Sequence, residues 1–239
     1  MRKRALFVYF ISIFFLNAGE VDPYLAWKIS LKDASTIINQ YFNRKIAKTL
    51  NQLPNNCSCE TASAEILKNF GVVLNSPLEK WIKSNNQIEK FPNKNSENNK
   101  LLKESIYWKN SNSSVEKSQM ISLKMMLDEI ININDIYIGV DKITHFTGSG
   151  FIYYKRYLSA LKKGSPHKIA MEKAIDIGVM GEKNILGRYA SGVFSFADLE
   201  ANFQGLLFGI DLCNSAQPLI IIKNQRWVLS KSFNIKNYV

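Results

Sequence analysis

Asp141 to Gly164, DKITHFTGSGFIYYKRYLSALKKG, reads as one amphipathic helix. Asp141 stands where an N-cap is expected, and Ile143, Phe146, Gly150, Tyr154, Tyr157 and Leu161 recur at helical spacing on one side. Gly164 is the natural stop. Ser165-Pro166 then opens a second helix with proline at its first position. Along that helix Met171, Ile175, Gly178, Glu182 and Ile185 form one stripe, with Ala170, Ala174, Ile177 and Gly181 beside it. So many small residues imply close packing against a neighbouring helix.

Outward from this pair the chain remains helical. Gly187 is a plausible end of the second helix. Tyr189-Ala190, Ser191-Gly192 and Val193-Phe194 read as a tight hairpin. Ser195-x-x-Asp198 is a capping box for a third helix with apolar Leu199, Phe203, Leu206, Leu207 and Ile210. A last hairpin is expected where Leu219–Lys223 and Arg226–Leu229 flank Asn224-Gln225. On the N-terminal side, residues 24–53 read as helical on one broad face, with a restart near Asp33-Ala-Ser35. Thr61–Phe70 is a further helix ended by Gly71, and Pro77–Lys83 a short one. The fold class expected is mostly α with small β-hairpins (α+β).

Composition sets the organisation. Arg2, Lys3 and Arg4, the apolar run Ala5–Leu16 and the small residues Asn17-Ala18-Gly19 have the three parts of a secretory signal peptide, residues 1–19. The run is short for a membrane span, which takes about 20 apolar residues. No stable span is expected after its removal, no cysteine follows the small residues as a lipid anchor requires, and an uncleaved anchor is the alternative. Removal takes away three bases and no acid, leaving 28 Lys and Arg against 20 Asp and Glu. Residues 20–83 form an N-terminal helical part. Residues 84–119 are an Asn/Lys-rich excursion or linker, and residues 120–239 are a helical core that packs with 20–83 as one domain.

The basic balance favours an anionic partner such as a cell-wall glycan or another envelope polymer, although a Lys/Asn/Ile-rich composition alone also raises charge. No nucleic-acid motif, phosphate loop or Ser-His-Asp arrangement is present. Export permits a disulfide. Cys57 and Cys59 are too close for an easy mutual bridge, so one of them is expected to join Cys213. The C-x-C pair lacks the further ligands of a zinc site.

Glu182 is the leading candidate for chemistry. It occupies an apolar stripe near a helix C-terminus, and burial and the helix dipole both disfavour its ionised form, as a general acid requires. The competing reading is an acid paired with Lys183, Arg188 or a buried polar group. His145 shares a face with Asp141, Gly148 and Ser149, and suits a base, a ligand or a structural histidine equally. His167, in a first turn, is expected in solvent. Asp198 and Asn202 lie on one helix face with Gly205. A metal on His145, Glu182 and Asp198 is chemically conceivable, but the spacing matches no ligand signature, and neither metal nor cofactor is expected.

Gly139-Val-Asp-Lys-Ile-Thr-His-Phe-Thr-Gly148, Gly181-Glu182 and Ser191-Gly-Val-Phe-Ser-Phe-Ala-Asp-Leu-Glu-Ala-Asn202 resemble a group of exported bacterial proteins. These carry D-K-x-x-H-F, a later glutamate, and G-V-[FY]-S-x-A-D-L-x-A-N. Some are predicted periplasmic lipoproteins of unassigned activity. The resemblance covers residues 137–210. A weaker one, a helix-end glutamate followed by a hairpin and a helix, is similar to the lysozyme superfamily and its deacetylation-specific members from predatory bacteria. It implies a lysozyme-like helical domain hydrolysing peptidoglycan. Glu182 would be the proton donor, His145 and Asp198 its organisers, and Tyr189, Ser191, Ser195 and Asn202 would line the sugar cleft. No second carboxylate is supplied for the usual two-acid scheme. The alternative is a non-enzymatic periplasmic structural or binding protein, with Asp141, His145, Glu182, Asp198 and Asn202 as a buried polar network joining three helices.

Overall fold

The computed structural model describes residues 21–71, 76–93, 104–105, 128–183 and 194–239. It is mostly helical with two small antiparallel hairpins. A 3-10 turn, Pro23–Ala26, precedes α1 (Ser35–Leu50), α2 (Cys59–Asn69) and α3 (Pro77–Ser84). Strands β1 (Ile130–Ile133) and β2 (Ile136–Gly139) lead into α4 (Val140–Thr144), a π-helical turn (His145–Ser149) and α5 (Gly150–Lys162). Then come α6 (His167–Lys183), α7 (Phe196–Asn214), β3 (Ile220–Lys223), β4 (Arg226–Leu229) and a closing 3-10 turn, Ile235–Tyr238.

Local chemistry accounts for most of these boundaries. Ser76 accepts the amide of Glu79 and Pro77 opens α3, as the sequence suggests. α5 ends in a Schellman motif: Gly164 has φ +81°, its N–H donates to Leu161 O, and Ser165 N–H donates to Ala160 O. Both hairpin turns need left-handed residues at two successive positions. Asn134-Asp135 and Asn224-Gln225 supply them, with φ between 50° and 67°. The second hairpin matches expectation. The first was not anticipated, although Ile130-Ile-Asn-Ile ahead of Asn134-Asp135 carries the signal.

Two helical readings need correction. Residues 24–34 are not α-helical but a 3-10 turn and an extended stretch, whereas the restart expected near Asp33-Ala-Ser35 is where α1 begins, with Asp33 accepting the Ser35 amide and bridging to Asn132. Asp141 does not cap its helix. Gly139 is the N-cap, and the Asp141 carboxylate turns inward. Nor is the helix regular, since the chain widens into a π turn from His145 to Ser149. Ile88 and Phe91 are buried, and Phe91 pairs with Ile130, so the chain stays with the body beyond Ser84.

α7 lies at the centre, against α2, α5, α6 and the π turn. Gly205 makes the crossing possible. A Cβ there would lie 1.9 Å from Phe146 O and 2.8 Å from Gly150 Cα, so the two backbones touch. Around this contact Phe42 stacks on Phe70 and Phe233, each 4.4 Å between ring centres, and Phe146 stacks on Phe208. The small residues of α6 behave as expected. Ala170 and Ala174 are buried, and Gly178 makes room for the Tyr153 hydroxyl of α5. Among the described residues, no helix is long and apolar enough to cross a membrane.

The Cys59–Cys213 disulfide ties the first residue of α2 to the end of α7 and leaves Cys57 free. Of the two partners open to Cys213 in the sequence, the structure takes Cys59.

Candidate functional site

The polar residues of the D-K-x-x-H motif do not face a solvent cleft. α4 and the π turn run alongside the start of α7, and their side chains meet in the interior. The Lys142 ammonium donates to Asp141 Oδ2 at 2.7 Å and to Asp198 Oδ1 at 2.5 Å. His145 Nε2 lies 3.5 Å from Asp198 Oδ2, and His145 Nδ1 is 3.0 Å from Asn202 Oδ1. The Asn202 amide in turn reaches the Tyr153 hydroxyl at 3.5 Å. All are buried, Lys142 being 7% exposed and Asp141 2%.

Sequence spacing explains why they converge. Lys142 and His145 are three apart, and so lie on one helical face. Asp198 and Asn202 are four apart on α7 and present a carboxylate and an amide to that face. Lys142, which carries the charge balance, was passed over as a site residue, as was Tyr153. The visible signal for Lys142 is a lysine one helical turn before a histidine, next to an acid and small residues.

The protonation pattern follows from burial. Desolvation is the largest influence on Asp141 and pushes its carboxyl up to about 8; Lys142 opposes this, while the negative charges of Asp198 and Asp128 add to it. Desolvation also lowers His145, against the pull of Asp198, which favours the neutral imidazole. With Asn202 Oδ1 against Nδ1, the proton sits on Nδ1 and a bare Nε2 faces a carboxylate. A half-turn of the Asn202 amide is isosteric and reverses the bonds. Nε2–H then points to Asp198, the amide NH2 donates to Nδ1, and the Tyr153 hydroxyl donates to the amide oxygen. That arrangement opposes no two lone pairs and suits a neutral histidine. Among the described residues, Asp141 Oδ1, beside Gly139 and Val21, has no hydrogen-bond partner.

A second polar group adjoins the first. Thr144 Oγ1 donates to Glu79 Oε2 at 2.9 Å, and Lys83 pairs with both Glu79 and Asp128. On the other side, the hydrocarbon stem of Lys142 helps line a largely apolar pocket of about 250 Å³ with Ile136, Ile138, Phe146, Ala201 and Tyr238.

Glu182, in the last described turn of α6, is 2% exposed. Its Oε2 accepts the backbone N–H of Ser195 at 3.2 Å. This rearranges the expected capping box. The Asp198 N–H donates to Ser195 Oγ, as a cap requires, but the Ser195 N–H goes to Glu182 while the Asp198 carboxylate serves Lys142. Ser195 therefore joins α6 to α7. Tyr189, Ser191 and the expected 188–195 hairpin fall wholly or largely outside the described residues, as does Gly187. His167 is exposed, as expected, and meets Tyr157 OH at 2.7 Å.

Among the described residues, the ligand-type atoms that come together are those of Asp141, His145 and Asp198, all within 4.8 Å of one another. Glu182 is not in this group, so the trio considered from sequence is corrected. The Lys142 ammonium already bonds to two of the three members and supplies the positive charge that a cation would bring. Comparisons with protein-family models, curated proteins and solved structures find no match to this chain.

Proposed function

We propose that this chain is a non-enzymatic protein of the bacterial envelope, with Asp141, Lys142, His145, Asp198 and Asn202 as a buried structural network. The observation that carries this reading is the Lys142 ammonium bonded to both Asp141 and Asp198 inside the protein. Its protons go to one oxygen of each acid, which a substrate or metal would otherwise engage, and the pairing with Asp198 offsets part of the desolvation of two ions beside a protonated Asp141. Glu182 supports the same reading, because its carboxylate receives a backbone N–H and joins two helices. The net charge of +8 left by 28 bases and 20 acids after residues 1–19 suits an anionic envelope polymer as partner, bound through the surface.

One observation favours a second reading, a lysozyme-like helical domain acting on peptidoglycan. Glu182 lies in the last described turn of α6, is buried, and meets the start of the next helix through Ser195, a setting that suits a general acid.

Both readings meet in one experiment. Purified protein and a Glu182→Gln variant are added to native and de-N-acetylated peptidoglycan, with turbidity and sedimentation followed at low and high salt. Salt-sensitive co-sedimentation without clearing, and a folded but less stable variant, are expected. Clearing that disappears in Glu182→Gln would replace the structural reading with the hydrolase.

A further inference from the structure

Three cysteines share one corner of the fold, and only two can be bridged at a time. Cys59 opens α2 directly after its N-cap Ser58 and is bonded to Cys213, with Cα atoms 6.1 Å apart. Cys57, two residues upstream, keeps a free thiol.

Position makes Cys57 a competitor for the same partner. Two residues of chain span at most about 7 Å between Cα atoms, so Cys57 cannot leave the neighbourhood of the bridge. It is half-buried and packs against the same hydrophobic cluster as Cys59 and Cys213. Its carbonyl accepts the Trp227 indole N–H from β4 at 3.0 Å, which holds this stretch on the body. The leaving group is favourable as well. A sulfur at the first position of a helix is stabilised as thiolate by unpaired backbone N–H groups and the dipole, and a stabilised thiolate leaves faster.

We propose that Cys57 and Cys59 exchange the bond to Cys213, making this corner a thiol–disulfide exchange site. The Cys57 thiolate attacks Cys213 Sγ, a Cys57–Cys213 bond forms, the Cys59–Cys213 bond breaks, and Cys59 departs as thiolate. The proton lost by Cys57 is returned by solvent to Cys59, so no oxidant or reductant is consumed. The new bridge closes a loop only two residues longer than the 154-residue separation of the first, so chain entropy hardly distinguishes the two forms. Both isomers keep α2 tied to α7. They differ in where the free thiol sits, and the exchanged form places it at the N-terminus of α2, where it can form mixed disulfides with small or protein disulfides.

The test uses the full chain with no added thiol. Protein is held at pH 6, 7 and 8, quenched in acid, alkylated while unfolded, and mapped by mass spectrometry. Label is expected on Cys59 as well as Cys57, appearing faster at higher pH and independently of protein concentration. Label on Cys57 alone at every pH overturns the proposal. So does Cys59 label that scales with protein concentration, which is the mark of exchange between molecules. In Cys59→Ser, folded by circular dichroism, a Cys57–Cys213 bridge is expected on air oxidation, and two free thiols would overturn the proposal. If that variant does not fold, the mapping of the unmodified chain decides.

Discussion

The Lys142 ammonium and the Asp198 carboxylate bond to each other across 56 residues of sequence, at a point where both are almost wholly buried. Asp141 Oδ2 also accepts from the ammonium, and His145 lies beside the other Asp198 oxygen. The next turn of each helix extends the contact through His145 and Asn202.

Replacing Lys142 with methionine keeps the length of the side chain and removes the charge. Asp198 then loses its buried cation and Asp141 its hydrogen-bond donor, and a loss of about 3–5 kcal/mol in unfolding free energy is expected from urea titration. Adding Asp198→Asn should recover part of that loss. Costs that simply add across the double variant would show that the two residues do not act as a pair.

Stability should depend on pH in opposite senses at Asp141 and His145. The folded carboxyl of Asp141 is raised, so the native state holds a proton that the unfolded chain releases above about pH 4. Its contribution is therefore greatest at low pH and is lost as pH rises toward about 8. Asp141→Asn should flatten that decline in denaturant midpoint between pH 5 and 8. An unchanged slope would sink this assignment.

His145 is lowered by burial, so the unfolded chain takes up a proton below about pH 6.5 that the native state resists. Stability from this residue is present above that pH and falls on acidification. His145→Gln should lose less stability than the unmodified protein between pH 6.5 and 5, read as the difference in midpoint at the two pH values.

Gly178 and Tyr153 fill one space between α6 and α5. A Cβ at position 178 would fall 1.6 Å from the Tyr153 hydroxyl. Gly178→Ala is expected to cost about 1–3 kcal/mol through overpacking. The cost should shrink in a Tyr153→Phe background, where the oxygen is gone. The same cost in both backgrounds would place the strain elsewhere.

Cys213→Ser removes the bridge whichever upstream cysteine holds it. A loss of about 2–5 kcal/mol is expected in chemical denaturation. Reducing agent should destabilise the unmodified protein and leave the variant unaffected.

The helices were legible where local chemistry suffices. Gly164 stops α5 by its own backbone freedom, Ser76-Pro77 starts α3, and Asn224-Gln225 turns the last hairpin. Their partners are within a few residues, so a short window of sequence contains the whole cause. Asp141 misled for the same reason. An acid before an apolar run looks like a cap locally, but a buried ammonium on the next residue competes for its carboxylate and wins.

The sequence by itself determined that this chain is mostly helical, where most helices begin and end, and that Glu182 and His145 sit among apolar or small neighbours. Periodicity, caps and turn residues act over a single turn or two, so no tertiary knowledge is needed to read them. Only the tertiary structure decided that Lys142 neutralises Asp198, that Ser195 gives its amide to Glu182, and that Cys213 takes Cys59 over Cys57. Each of these is a choice among chemically equivalent partners. It is made by which helix faces pack together, and here the backbone contact between Gly205 and the π turn sets that packing.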